Sequence, residues 1–210
     1  MHACAIRKLT EPGEIQLALA REAIEFRKNE FLDVAEKYAE QIPDSHFFGA
    51  FGPDGTCEGM TRIISSGLHL PPFLGEGVVI YDREKWAMLA RGGLLDEFAT
   101  VAVEESGRGL GIFVDLVRVA YRDAKLRGRK YFGIIMEPDR VEAMNAFYHY
   151  RYKIVGPPQL YEGEVNSLVA PYVLDFVDQE RYLIESGRLD YLQWFVRHPI
   201  NDPGYPQPTG

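Results

Sequence analysis

The 210-residue chain has only two cysteines, Cys4 and Cys57. They are too few for a disulfide scaffold and have no metal-ligand spacing. The five histidines are scattered without a ligand pattern, so no metal is expected. No apolar run approaches the roughly 20 residues needed to cross a bilayer. The opening residues, Met1 to Lys8, lack the long apolar h-region of a secretory signal. The expectation is a cytoplasmic protein with no membrane span. An excess of positive charge is also missing: 23 Lys and Arg stand against 31 Asp and Glu, a net charge of −8. That balance argues against sequence-independent nucleic-acid binding. Internal repeats and low-complexity segments are absent as well. What remains is 46% hydrophobic, enough for one substantial core. The expected organisation is a single domain over residues 1–198 and a Pro/Gly-rich tail over 199–210.

Periodicity places the elements. Glu11 to Tyr38 is helix-rich, with Ile15, Leu19, Ala23 and Phe26 at helical spacing and charges between them. Phe47 to Phe51 and Gly59 to Ile64 flank a Gly-Pro-Asp-Gly turn and predict an antiparallel hairpin. Ser65 to Gly77 reads as a loop over one face, Glu84 to Ala90 as a short helix, and Leu94 to Val103 as a strand. Ile112 to Leu126 is an amphipathic helix, with Asp115, Arg118, Arg122 and Lys125 on one stripe and Phe113, Val117, Ala120 and Ala124 on another. Tyr131 to Met136 suits a strand buried on both faces. Asp139-Arg-Val-Glu142 has the form of a capping box opening a helix from Arg140 to about Tyr150. Tyr152 to Val155 and Leu168 to Phe176 read as closing strands, and Gln179 to Arg197 as a C-terminal helix.

The centre of this pattern is Ser106-Gly-Arg-Gly-Leu-Gly111, set between a strand and a helix. Amides at a helix N-terminus carry partial positive charge, and glycines let a phosphate approach the main chain. The loop is no P-loop, because Ile112 and Phe113 stand where Lys and Ser or Thr are required. Nor does Gly107-x-Gly109-x-Gly111 have dinucleotide spacing.

Hairpin, strand, glycine loop, helix, strand, helix, strand, strand is an order that resembles the GNAT N-acetyltransferase superfamily over residues 47–176. The superfamily's Arg/Gln-x-x-Gly-x-Gly/Ala falls on Ser106-x-x-Gly109-x-Gly111. Its later Asn-x-x-x-x-Tyr-x-x-x-Gly-Phe is echoed by Asn145-Ala-Phe-Tyr148-His-Tyr-Arg-Tyr152. Ser106 replaces the usual Arg or Gln, and Arg151-Tyr152 stands where Gly-Phe is common. A narrower likeness is to the acyl-homoserine lactone synthases and N-acyl amino acid synthases. It rests on Arg27-x-x-x-Phe31, Gly59-Met-Thr-Arg62-Ile63 followed by Leu70-Pro71, and Glu97-Phe-Ala-Thr100-Val-Ala-Val103, where Thr100 replaces an Arg. The fold this implies is α+β in three layers: a mixed, mostly antiparallel sheet with a splayed parallel strand pair, flanked by helices.

The activity implied is N-acyl transfer from a pantetheine thioester, acyl-CoA or acyl-ACP on an acyl carrier protein, to the amine of an amino-acid-like small molecule. Acetyl-CoA-dependent acetylation of a small amine or peptide, and a non-catalytic thioester-binding module, are the alternatives. Monomer and homodimer are both left open. The resemblance points to Arg108, Gly109, Leu110, Gly111, Ile112 and Asn145 for the donor, and to Arg27, Arg62 and Thr100 for the acceptor; Arg27 and Arg62 would bind its carboxylate or orient the acyl carbonyl, or else form structural ion pairs. Tyr148 is the candidate acid for the leaving thiolate, or else a packed aromatic. Glu97 is the candidate base, or else a solvated carboxylate, and Asp96 is the fallback because strand alternation sends the two to opposite faces. Arg118, Arg122, Lys125, Arg127, Arg129 and Lys130 form a basic group that suits an acidic carrier or a CoA phosphate, or that complements a helix C-terminus. His69 to Leu74 and the C-terminal Leu192, Trp194 and Phe195 are expected to wall an acyl pocket.

Overall fold

The computed structural model describes residues 4–28, 39–67, 69–108, 111–160 and 168–192. Phe31, Gly109, Leu110, Trp194, Phe195 and the 199–210 tail lie outside them. Eight strands form one sheet: β1 (Ala5–Leu9), β2 (Ser45–Phe51), β3 (Cys57–Ile64), β4 (Leu95–Val103), β5 (Tyr131–Met136), β6 (Lys153–Ile154), β7 (Gln159–Leu160) and β8 (Leu168–Asp175). Their order is β1-β2-β3-β4-β5-β8-β6, with β7 also paired to β8. All neighbours are antiparallel except β4 and β5.

The β2–β3 hairpin closes through Pro53-Asp-Gly55 as its turn chemistry predicts. Gly55 takes φ +82, its N–H donates to the Gly52 carbonyl at 3.0 Å, and the Asp54 carboxylate accepts from the Thr56 amide at 3.0 Å.

Two irregularities in β4 set up the centre of the molecule. The parallel pairing with β5 covers only Leu95, Asp96 and Glu97, opposite Tyr131, Phe132 and Gly133, while β4 continues to Val103 and β5 to Met136. The two strands therefore splay after Glu97. Register against β3 also slips there: Arg62 pairs with Thr100 and Ile63 with Phe98, leaving Ala99 as a bulge. A bulge reverses the phase of alternation. Before it Asp96 and Phe98 point to one face; after it Val101 and Val103 do.

Helices cover both faces. On one side lie α3 (Ile112–Leu126), α4 (Pro138–Phe147) and α5 (Phe176–Glu185), over a core that includes Phe98, Leu116, Val119, Phe132, Ile134 and Leu174. On the other lies α1 (Pro12–Lys28), above Phe47, Phe51, Met60 and Ala102. Beside α1 are a short 3-10 turn, Pro72–Leu74, and α2 (Arg83–Arg91), packed with Trp86, Leu95 and Val173. Phe73 lies flat against β5: a Cβ on Gly133 would come within 2.6 Å of its ring, so only glycine fits that position.

Several expectations change. The face of α1 turned to the sheet carries Ala18, Glu22 and Glu25. The apolar side chains flank it, and Leu17 and Ile24 are exposed. Asp139 is no cap: α4 starts at Pro138, with Glu137 in the N-cap position and no side-chain cap bond. On α3 the stripes are broader than expected, since Arg118 and Asp123 are also buried. The expected C-terminal helix is interrupted: it runs from Phe176 to Glu185 and breaks at Ser186 and Gly187 (φ +71), and helical backbone resumes over 189–192, where the described residues end. Its cap is Asp175, which accepts from the amides of Val177 (2.9 Å) and Asp178 (3.1 Å). Strands β1 and β7 were not anticipated. Among the described residues, no helix is long and apolar enough to cross a membrane.

Candidate active site

Helix α3 begins just beyond the splay. Its N-cap, Gly111, sits at φ +84, which glycine adopts without a Cβ penalty, and open space lies where a Cβ would point. The first intrahelical bond runs from the Asp115 amide to the Gly111 carbonyl (3.0 Å). The amides of Ile112, Phe113 and Val114 thus form the first turn, which has no acceptor of its own and favours an anion. Upstream, Glu105–Gly107 is a 3-10 turn, and a Cβ on Gly107 would come within 2.8 Å of Ile112. One expected contact is used elsewhere: the Arg108 amide donates to the Glu105 carbonyl at 3.1 Å. The Arg108 side chain, 56% exposed, meets Glu25 of α1 at 3.3 Å. Arg21 of α1 reaches Glu104 at 3.2 Å and donates to the Cys57 carbonyl at 2.9 Å. The glycine loop is therefore tied to α1 at its upstream flank, through Glu104, and within its first half, through Arg108.

A cleft of about 530 Å³ opens beside this helix end, lined by Gly111, Val114, Asp115, Tyr148, Asp190 and Tyr191. Tyr148 is the residue at which α4 ends. It is half-buried, with its ring 6.0 Å from Phe113 and 6.3 Å from Tyr150. Two carboxylates share the cleft with the helix amides; Asp115 is paired to Arg118 at 3.1 Å. Asn145, expected at the donor, instead holds the main chain of Tyr152: its side chain donates to that residue's carbonyl and accepts from its amide, each at 3.2 Å.

The acceptor candidates sit across the sheet. Arg62 and Thr100 are opposite each other on β3 and β4, 0% and 4% exposed, and both face α1. Between them lies Glu22, 1% exposed, whose carboxylate accepts from the Thr100 hydroxyl and stands 3.7 Å from Arg62. Arg62 also donates to the Ser45 hydroxyl at 2.9 Å and lies over the Phe47 ring. Burial pushes the Glu22 carboxyl above the ordinary carboxylate range, against the opposing pull of the Thr100 hydrogen bond and the Arg62 charge. Glu97, 2% exposed, accepts from the Phe73 amide at 2.7 Å and so anchors the 3-10 turn. It is not a solvated strand-end carboxylate. Asp96 points the other way, as alternation predicts, and is held by Arg127 (2.6 Å) and Arg129 (2.9 Å). Arg27 is exposed in the last turn of α1.

The basic group is used largely inside the protein. Arg127 and Arg129 hold Asp96, Arg127 also pairs with Asp123 at 2.6 Å, Lys125 pairs with Glu180 and Arg118 with Asp115. Arg127 and Arg129 follow the C-terminal end of α3, about 22 Å from its N-terminus at 1.5 Å per residue. The two expected walls of an acyl pocket also separate: Phe73 and Leu74 belong to the core beside α2, whereas Leu192 packs in the α3 core. Among the described residues, no group of three or more His, Cys, Asp or Glu is placed to hold a metal ion.

Sequence reasoning missed Glu22 and Glu25. The available signal was their spacing from Ala18, four and seven residues on, which puts all three on one helical face. It also missed Gln179, whose 1% exposure no local pattern announces.

No protein-family model and no curated protein sequence matches the chain. Solved structures do. An N-acyl amino acid synthase, FeeM, from uncultured soil microbes is similar over 90% of this chain and 99% of its own, at 17% identity and a TM-score of 0.69. A GNAT-family protein from Desulfovibrio desulfuricans matches over 83% of this chain and 99% of its own, at 12% identity and TM-score 0.54. A GNAT-family acetyltransferase from Staphylococcus aureus has the same coverage, with 10% identity and TM-score 0.52. The mixed eight-stranded sheet with its one parallel, splayed pair, flanked by helices on both faces, is the GNAT fold.

Proposed function

We propose that the chain is an N-acyltransferase that moves an acyl group from a pantetheine thioester to the amine of an amino-acid-like small molecule. The observation that carries this reading is the cleft at the start of α3. There a half-buried phenol, Tyr148, shares one cavity with the helix N-terminus, so a phosphate arm and a leaving sulfur each have a partner. The donor's phosphate fits at the amides of Ile112 to Val114, beside a Gly111 with open space over its Cα.

In the transfer, the amine nitrogen forms a bond to the thioester carbonyl carbon. The C–S bond then breaks with its electron pair going to sulfur, and the phenol proton of Tyr148 passes to the thiolate. Glu97, where β4 leaves β5, is the group assigned to take the amine proton. Both Asp96 oxygens are already engaged by Arg127 and Arg129. Arg27 has room at the surface for an acceptor carboxylate, which suits a guanidinium fork. Arg62, closed off beneath α1, does not, and its part is to hold Glu22 and the start of the splay.

The likeness to an N-acyl amino acid synthase supports an amino-acid acceptor, and the motif resemblance to the acyl-homoserine lactone synthase and N-acyl amino acid synthase branch implies a medium or long acyl chain. The cleft carboxylates, Asp115 and Asp190, disfavour a highly charged donor and so favour a carrier-bound pantetheine over CoA. The test is acyl transfer from acetyl-CoA, longer acyl-CoAs and acyl carrier protein to a panel of amino acids, read by mass spectrometry. Product from the longer donors is expected. A preference for acetyl-CoA would make the chain a small-amine acetyltransferase. Donor binding without product from any donor would make it a non-catalytic binding module, a reading to which Ser106 and the departure from Gly-Phe at Arg151-Tyr152 give weight.

A further inference from the structure

The five residues that follow α4, Tyr148 to Tyr152, form an irregular segment whose main chain is held by two carboxamide side chains. Gln179 of α5 accepts from the Arg151 amide at 2.8 Å and donates to the His149 carbonyl at 2.9 Å. Asn145 binds the amide and carbonyl of Tyr152. Between these clamps His149 takes φ +56, a left-handed conformation that strains a residue with a Cβ. Its ring stands edge-on to Tyr191 at 4.9 Å, and Tyr191 lines the same cleft as Tyr148. A carboxamide that is 1% exposed and spends both its groups on a strained backbone is costly to bury unless every bond is made. It also reverses the chain immediately after Tyr148, which fixes where the α4 end delivers that phenol.

We infer that Gln179 is a positioning residue for the transfer reaction: through the left-handed turn at His149 it holds the Tyr148 phenol where the departing thiolate forms. This rests on the acid role of Tyr148 in the proposed function, and the test separates the two. A thiolate of low basicity leaves without a proton, so an aryl thioester donor bypasses a missing or misplaced acid, whereas an alkyl thioester does not.

The experiment compares wild type, Tyr148→Phe, Gln179→Ala and the double variant with an alkyl and an aryl thioester of the same acyl group. With the alkyl donor, Tyr148→Phe should lower kcat by about 100-fold and Gln179→Ala by roughly tenfold to 100-fold, with the donor KM unchanged. With the aryl donor both losses should shrink to a few-fold, and the double variant should be no slower than Tyr148→Phe. His149→Gly relieves the backbone and removes the ring contact with Tyr191. It takes the left-handed turn without help, so alone it should keep most of the alkyl-donor rate, and added to Gln179→Ala it should raise Tm and restore part of that rate, which carries the test if Gln179→Ala alone does not fold. A Gln179→Ala loss that is equal for both donors, or that multiplies with Tyr148→Phe, overturns the inference. A Tyr148→Phe enzyme as fast as wild type with the alkyl donor overturns the acid role itself.

Discussion

On the α1 face of the sheet, Glu22, Arg62 and Thr100 bury a carboxylate, a guanidinium and a hydroxyl at 1%, 0% and 4% exposure. On the α3 face, Tyr148, Asp115 and the first amides of α3 border an open cleft of about 530 Å³. Both regions adjoin the same bulged and splayed stretch of β4. The first is closed, and its charges answer one another. The second is open: the helix end and the Tyr148 phenol border the cavity, and Asp115 beside them meets Arg118. A buried ion pair loses much of its Coulomb energy to desolvation, so it defines a conformation more than it adds stability, but removing one partner leaves a charge in the interior. An open helix end beside a phenol adds little to folding and much to binding. Substitutions on the two sides should therefore separate into losses of stability and losses of rate.

The largest effect is expected on the closed side. Glu22→Ala leaves the Arg62 guanidinium buried without its carboxylate and should cost about 3–5 kcal/mol. At about 2–4 °C per kcal/mol for a chain of this size, Tm should fall by roughly 6–20 °C. Tyr148→Phe should leave Tm within a degree or two, and thermal unfolding followed by circular dichroism compares the two directly. The raised Glu22 pKa adds a pH signature. A carboxyl whose folded value lies above its unfolded value binds protons more tightly in the native state. Its stabilising contribution is present below the unfolded value and is lost as pH rises through the folded one. The Glu22 contribution should thus decline from the ordinary carboxylate range upward, and the stability difference between wild type and Glu22→Gln, which cannot titrate, should change with pH accordingly. A Glu22→Gln profile parallel to wild type would show that Glu22 is not the titrating group.

The next effect asks on which side of the comparison Asn145 belongs. The motif placed it at the donor, but its amide clamps Tyr152 with two hydrogen bonds. Breaking them leaves main-chain groups unsatisfied, which costs about 1–3 kcal/mol. Asn145→Ala should lower Tm by several degrees while donor affinity, measured by calorimetry, stays the same. A loss of affinity without a loss of Tm would return Asn145 to the donor site.

What the sequence revealed follows the same division. Helix α3 was legible to the residue, because fifteen residues of 3.6-fold pattern outweigh any local exception. Strand β5 was legible as an uncharged run, and the hairpin through its Pro-Asp-Gly turn. These are patterns that a chain writes locally. The closed polar cluster was not legible, because periodicity assumes that charges face water, and Glu22 and Glu25 turn inward to meet an arginine forty residues away and a loop eighty residues away. The role of the basic run from Arg118 to Lys130 stayed open in the sequence for the same reason: Asp96, distant in sequence on β4, holds Arg127 and Arg129. Strand β1, five residues long and carrying Arg7 and Lys8, exists only because Phe47 to Phe51 stands beside it to accept its pairing. The stop at Gly187 was readable, since a glycine after a helix commonly takes the left-handed cap.

The smallest effect tests the open side. Asp115 lies in the first turn of α3, where its charge complements the helix dipole, and it lines the cleft where the donor's phosphate is proposed to sit. Folding and donor binding therefore make opposite demands on it. Asp115→Asn should cost the helix roughly 0.3–1 kcal/mol and remove the ion pair that Asp115 makes with Arg118 at 3.1 Å. An anionic donor should then bind tighter, by about two- to fivefold for the same energy range, and the gain should fade between 50 and 200 mM salt as exposed charges are screened. CoA titrations at two ionic strengths measure this. If Asp115→Asn binds CoA no better than wild type at low salt, the phosphate does not approach the α3 N-terminus, and the comparison between a closed structural face and an open binding face loses its second half.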